Sequence, residues 1–250
     1  MNFSLKRSLA YSLIGISLGA GALTASAAEL VSHRAAYKIV LGQARDASPV
    51  SSATGQIGYG VEKVCGGWLS HQSGTMNLHL TTGDVVDQTM HYSVWEADNG
   101  EAFRFNVTDG AERADDVRGT AQMSADGGVA NFTHPEAASF NLPPGTLFPV
   151  AHSQFMIDQA QAAQTLMESR LFEGADVEGA KLVVVFVSPL SAEARTVVKQ
   201  VGGDLVARPG WTFRLAYYDP SSRTSEPLYE VEADILDNGV APRWVLDYGD

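Results

Sequence analysis

Apolar and polar residues alternate along most of this chain. In FRFNVTDG, Phe103, Phe105 and Val107 alternate with Arg104, Asn106 and Thr108. In YEVEADIL, Tyr229, Val231, Ala233 and Ile235 alternate with Glu230, Glu232 and Asp234; in HRAAYKIVL, Ala35, Tyr37, Ile39 and Leu41 share one side, with Arg34 and Lys38 on the other. Successive strand side chains point to opposite faces, so these segments are half-buried strands with one wet side. A one-faced pattern is the habit of antiparallel sheets, whereas buried parallel strands read as continuous apolar runs. The turns agree. Asp98-Asn99-Gly100 and Asp237-Asn238-Gly239 carry the Asn-Gly pair that accepts the positive φ of a tight hairpin, and Thr82-Gly83-Asp84 and Asp126-Gly127-Gly128 are weaker versions. The pattern predicts strands near 33–42, 54–63, 68–81, 85–96, 102–108, 116–123, 129–134, 166–173, 181–187, 211–218, 227–236 and 241–248, mostly joined as consecutive hairpins.

One segment loses the alternation. After the Pro/Gly stretch of LPPGTLFP, residues Ala151 to Ala163 are Ala- and Gln-rich without Gly or Pro, which favours helix. Phe155, Ile157, Ala160 and Ala163 form no clean 3.6-residue stripe. Residues 188–210, with Pro189, Gly202, Gly203, Pro209 and Gly210, read as an exposed loop with a short helix near Ala192–Lys199. About a dozen antiparallel strands must manage their edges by closing or curling. The expected fold is mainly β: a single, highly curved, barrel-like antiparallel sheet with one helix packed near its concave side or mouth. Sheets of this kind often hold an apolar groove.

The first residues change the picture of where the protein works. Lys6 and Arg7, an apolar run from Leu9 to Leu23 and the small-residue exit Ala25-Ser26-Ala27 are the three parts of a secretory signal peptide, with cleavage expected after Ala27. The run is too short and Gly-rich for a membrane span of about 20 residues. Nothing after Leu30 approaches one, so stable membrane insertion is not expected after cleavage. Residues 28–250 then form one domain. The leader holds two cations and no acids, so the remainder carries −14 against −12 for the whole chain. Such a surface repels phosphate backbones, and nucleic acid is not an expected partner.

Candidate chemistry is sparse. Cys65, in EKVCGGWLSH, is the only cysteine of the 250 residues. A nucleophilic thiolate would need a base such as His71, His152 or His33, but Glu62 is its nearby charge and no helix start follows to lower its pKa. A structural disulfide whose partner lies outside this chain, or is missing from it, is the favoured reading. The six histidines (His33, His71, His79, His91, His134 and His152) form no metal-ligand motif, and no zinc site or cofactor is expected. His71 and His79 share a strand face but lie about 26 Å apart. In the hairpin at Gly83, His79 should face Val86 or Asp87, and His91 should face Gly74 or Thr75. No G-x-S-x-G elbow appears, GQIGYG at 55–60 falls within a strand pattern, and Asp115 and Asp116 point opposite ways on a strand. The glycosylation triplets at Asn106 and Asn131 carry no weight in what reads as a bacterial export.

What remains is apolar surface. Trp95, Phe103, Phe105, Trp211, Phe213, Tyr229, Trp244 and Tyr248 are alternating aromatics, most of which belong to ordinary core packing. Phe103, Phe105, Phe155, Phe213 and Trp244 are the candidates for lining a groove.

HRAAYKIVLG, VCGGW, GEAFRFNV, LPPGTLFPVAH and YEVEADILDNGVAPRWVLDYGD, in this order and spacing, resemble the EipB family of periplasmic cell-envelope integrity proteins, across nearly all of the chain after the leader. Leu142 to Pro149 and the terminal Leu-Asp-Tyr-Gly-Asp are the most specific parts. The resemblance implies a β-spiral similar to the periplasmic lipoprotein carriers, a Gram-negative periplasm and a role in envelope integrity, and it supplies no established enzymatic activity. It also implies that the position of Cys65 pairs with a second cysteine near the C-terminus. Set against that pattern, this sequence is expected to lack the family's C-terminal strand and second cysteine. A disulfide closing a loop of that length is worth about 5 kcal/mol. The expected function is a non-enzymatic periplasmic factor binding an apolar ligand, lipid, lipoprotein or client segment. The alternatives are a protein–protein adaptor that joins envelope proteins without a ligand, and a thiol-dependent enzyme.

Overall fold

The computed structural model describes residues 29–44, 48–109, 116–221 and 225–247; the leader, Asp115 and Tyr248 lie outside them. The first eight strands form one antiparallel meander in which every strand pairs with its sequence neighbour. They are β1 (His33–Val40), β2 (Val50–Val64), β3 (Gly67–Leu80), β4 (Val85–Ala97), β5 (Ala102–Asp109), β6 (Val117–Ser124), β7 (Gly127–His134) and β8 (Ala138–Leu142). The chain then passes through a two-residue strand, β9 (Thr146–Leu147), and a helix, α1 (Pro149–Gln161). A second ladder follows from β10 (Leu166–Leu171), β11 (Lys181–Pro189), β12 (Gly210–Tyr218), β13 (Tyr229–Leu236) and β14 (Arg243–Asp247). Its order is β14-β13-β12-β11-β10-β9, and the β9–β10 step is parallel. A parallel step needs a crossover connection, and α1 is that connection.

The mainly β fold and the hairpins match the sequence pattern. The ladder is in two runs because Pro143, Pro144 and Pro149 flank the β9 segment, where proline cannot donate to a sheet. The short β8 and β9 add to the expected strands. Gly100 and Gly239 hold φ values of +68° and +84° in the two Asn-Gly turns. The short helix expected within residues 188–210 is present, and a 3-10 turn adds to it. The helix is α2 (Ala192–Val201), whose N-cap Ser191 accepts from the Ala194 amide, and the turn spans Gly203–Ala207. The hydroxyl of Ser191 donates to the fully buried Asp234 of β13, which also accepts from Thr212 and from Arg243. That carboxylate pins α2 to the outside of the second ladder, where Ala194 and Val198 pack on Leu190 and Leu236.

α1 lies between the two ladders. Met156, Ile157 and Ala160 pack on Val183, Val185, Phe213, Leu215, Ala233 and Ile235 of the second ladder. Val150, the second residue of the helix, packs on Val61 and Trp68 of the first. A helix gripped on two sides shows no single apolar stripe, which explains the poor periodicity of its sequence. Phe148, immediately before α1, is fully buried in a cluster with Phe103, Phe105, Phe132 and Phe172. Its ring stacks on Phe103 at 4.8 Å, and Phe105 meets Phe132 edge-on at 5.1 Å. Each such ring adds about 1.5–3 kcal/mol through burial. Gly119 makes room for the cluster: a Cβ there would stand 2.5 Å from the Phe105 ring. The ladders also meet along their free edges. The Val31 amide donates to the Asn238 carbonyl at 3.1 Å, and the Tyr37 hydroxyl donates to the Ala241 carbonyl at 2.7 Å.

Candidate functional site

Strand register places the inner face of the first ladder residue by residue. Val61, Tyr59, Ile57, Gly55 and Ala53 share one side of β2, and Val94, Tyr92, Met90, Gln88 and Val86 share one side of β4. Near α1 this face is core. Beyond it, β1 to β4 run on as a long extension whose inner side stays apolar. Tyr37, Ile57, Gly74 and Met90 form one cross-strand row; Ile39, Gly55, Met76 and Gln88 form the next; Leu78 and Val86 follow. None of these residues belongs to the four buried clusters. They are half-buried except Gln88 and Val86, which are exposed, Val86 at 39%. This is an apolar trough with no layer over it among the described residues.

At its β1 border the trough meets β14. Trp244 and Leu246 pair with Ala233 and Val231, so they share the core-facing side of the second ladder, yet they are 45% and 55% exposed. The Tyr37 hydroxyl takes part in a hydrogen bond with the Trp244 side chain. Burial pushes the phenol up, and that bond partly offsets the effect. Tyr59, deeper along the same face, is pushed up to about 12, first by burial and then by Tyr37. Phenols on this face stay neutral at any physiological pH, in keeping with an apolar surface.

The ionisable groups next to the trough are structural. Glu96, on the inner side of β4 and 2% exposed, accepts from the amides of Val150 at 2.7 Å and Ala151 at 2.8 Å. Phe148 offers α1 no side-chain cap, so a carboxylate from another element caps the helix. Burial raises the Glu96 carboxyl to about 7, and the two amides oppose that rise. His152 on α1 is buried and its Nε2 lies 2.9 Å from Ser169 Oγ; burial lowers it to about 4. Both side chains are buried, so the pair is a satisfied polar contact within the core. Glu173, raised by burial and partly relieved by Lys181, accepts from the Tyr229 hydroxyl at 3.2 Å.

The candidates from the sequence fall in different places. Phe103, Phe105 and Phe213 are 1%, 3% and 0% exposed and face other core side chains, not an open groove. Alternation marks the inner side of a strand, but it cannot tell which stretch of that side is covered. Phe155 is half-buried against the second-ladder core. Trp244 does border the trough. Cys65 is a free, exposed thiol in the β2–β3 turn. The three histidines considered as its base are committed elsewhere: His71 lies over Gly60, His152 contacts Ser169, and His33 Nδ1 contacts the Val31 carbonyl. His79 pairs with Val85 and His91 with Ser73, each one residue from the expected partner. Among the described residues no cluster of His, Cys, Asp and Glu could hold a metal, and no helix is long and apolar enough to cross a membrane. Glu96 and the Ile57–Met76–Met90 surface escaped the sequence reading. The signal for Glu96 was present, because it shares parity with Tyr92 and Val94 and so had to face inward.

Two curled β-ladders around an internal helix, with an unclosed apolar extension, define a barrel-like β protein. The chain belongs to the EipB-like family, whose profile matches residues 24–250. It is 30% identical over 242 residues to the cell envelope integrity protein EipB of Brucella abortus, covering 92% of this chain and 83% of that protein. The crystal structure of a β-barrel-like protein of a domain of unknown function, also from Brucella abortus, superposes with a TM-score of 0.81 at 24% identity. It covers 90% of this chain and 94% of that one, and it bears out the fold.

Proposed function

We propose that this protein is a non-enzymatic periplasmic factor that supports cell-envelope integrity by holding an apolar ligand in the trough of β1–β4. The ligand class is a lipid, a lipoprotein acyl chain or an apolar client segment. The observation that carries this reading is the uncapped inner surface of Ile39, Ile57, Met76, Leu78 and Met90, continuous with a closed core and bordered by Trp244. A half-buried apolar surface with no covering layer among the described residues suits an apolar partner. Placement in the periplasm rests on the leader pattern, and the envelope role on kinship with EipB. Non-reducing native mass spectrometry of protein taken from the periplasm tests it. A bound lipid or peptide that disappears in Met76→Glu supports the reading; a bare wild-type monomer contradicts it.

A second reading has its own observation. β14 is an edge strand on which Trp244, Val245 and Leu246 are all exposed, a template for strand addition by another envelope protein. An adaptor of this kind would be recovered with a partner whose binding is lost in Val245→Pro and kept in Met76→Glu.

A further inference from the structure

The opposite side of the same extension carries a different surface. The outward rows of β1–β4 run Ala36–Gly58–Ser73–His91 and Lys38–Gln56–Thr75–Thr89, in register. Together with Tyr37, Gly55, Ile57 and Gly74 at the intervening positions, they line a groove of about 790 Å³, within the 300–1,000 Å³ usual for ligand sites. Its floor is made by the smallest side chains of the rows, Ala36, Gly58 and Ser73. Among the four glycines of β2 and β3 near this surface, Gly58 is the one with space above it. A Cβ there would meet Ser73 O at 3.8 Å, whereas one at Gly55, Gly60 or Gly74 would strike a neighbour within 2.8 Å.

The groove's chemistry differs from that of the rest of the molecule. Gln56, Ser73, Thr75 and Thr89 supply amide and hydroxyl groups that both donate and accept. Lys38 and Arg34 are exposed cations without an ion pair among the described residues. On the outward side of β1–β4 the acids are Glu62 and Asp87, at the far ends, and Asp87 is engaged by Asn77. On a chain of net charge −12 this is a locally cationic, hydroxyl-matched strip. Tyr37 and Ile57, both half-buried, are the large apolar residues of its lining.

We propose that this outer groove binds a segment of anionic glycan. Its amide and hydroxyl rows would match sugar hydroxyls, and Lys38, with Arg34 about 13 Å further along the same face of β1, would match carboxylates or phosphates on the sugar chain. Such a site would hold the protein to an acidic polysaccharide layer while the trough on the other face stays free. The inference stands apart from the apolar-ligand reading and survives its failure.

Titration of the purified full chain with a galacturonate hexasaccharide by calorimetry at low salt tests it, with maltohexaose and a glutamate hexapeptide as probes of matched length. The expected result is binding of the acidic hexasaccharide that weakens as salt rises, and at least ten-fold weaker binding of both other probes. Gly58→Val fills the floor with a strand-compatible residue, and Lys38→Gln removes the charge at an exposed position. Each should weaken binding at least ten-fold, with circular dichroism unchanged for Lys38→Gln. Met76→Glu, on the opposite face, should bind the acidic hexasaccharide like wild type. Four outcomes each overturn the proposal: no binding by wild type at millimolar probe, equal binding of maltohexaose, equal binding of the glutamate peptide, or wild-type affinity in both Lys38→Gln and Gly58→Val.

Discussion

The carboxylate of Glu96 on β4 accepts the Val150 amide of α1 at 2.7 Å, so a strand of the first ladder caps the helix that fills the interior. Removing it leaves two buried amides without an acceptor. Glu96→Ala should destabilise the fold by about 1–3 kcal/mol, read by urea denaturation at pH 7.

The same residue sets a pH dependence. Glu96 titrates near 7 in the folded chain, above an unfolded value of about 4.3. The folded state therefore binds more protons than the unfolded state between these values. The stability it contributes is complete below the unfolded value and is lost as pH rises through about 7. His152 acts in the opposite sense. Its folded value of about 4 lies below an unfolded value of about 6.5. The stability tied to its neutral form is present above the unfolded value and is lost as pH falls toward 4. Between about pH 4.5 and 6.5 the two slopes oppose each other. Wild-type stability should be nearly flat there as far as this pair decides it. His152→Gln should become more stable relative to wild type as pH falls through this window, and Glu96→Gln less stable. Denaturation midpoints at pH 6.5, 5.5 and 4.5 check both signs.

Phe148→Ala should be the most damaging truncation of the aromatic cluster, at about 3–5 kcal/mol. The residue joins the first ladder to the start of α1, and its ring is fully buried on Phe103. Thermal unfolding of the variant beside wild type reads the loss.

Ile57→Glu and Met76→Glu place a charge on the half-buried trough. Both sites lie outside the buried clusters, so stability should fall by no more than about 1–2 kcal/mol, the ordinary range for substitutions away from a core. Binding of a fluorescent fatty-acid probe should fall at least ten-fold. A probe that binds both variants like wild type would place the ligand elsewhere.

Much of this architecture is legible from residue spacing. Period-two alternation located nearly every long strand, and Asn99-Gly100 and Asn238-Gly239 fixed two hairpins, because their backbone conformation depends on local chemistry alone. β8 and β9 were missed because five- and two-residue strands beside prolines carry too little pattern. The short helix expected near Ala192–Lys199 is α2; what spacing did not show is its anchor, Asp234 on a distant strand. Phe105 and Ile57 show the limit for the site. Both are inward-facing residues of the first ladder. Whether such a residue is core or lining depends on Phe148 and Phe172 covering one and nothing described covering the other, a fact of packing that alternation does not encode.

The bond from the Val31 amide to the Asn238 carbonyl, with Leu30 beside Gly239, has a consequence for how the chain assembles. Eight hairpin-linked strands can pair in order as they are synthesised, each needing only its predecessor. Their Phe103–Phe105–Phe132 surface stays wet until Phe148 and Phe172 arrive, and the first strand's leading residues have no dock until the last hairpin is made. Synthesis therefore passes through a long stage in which a correctly paired half-molecule displays an oily face and a loose front end. In that interval the unfinished chain is at its most adhesive, and association between copies competes with completion of the fold.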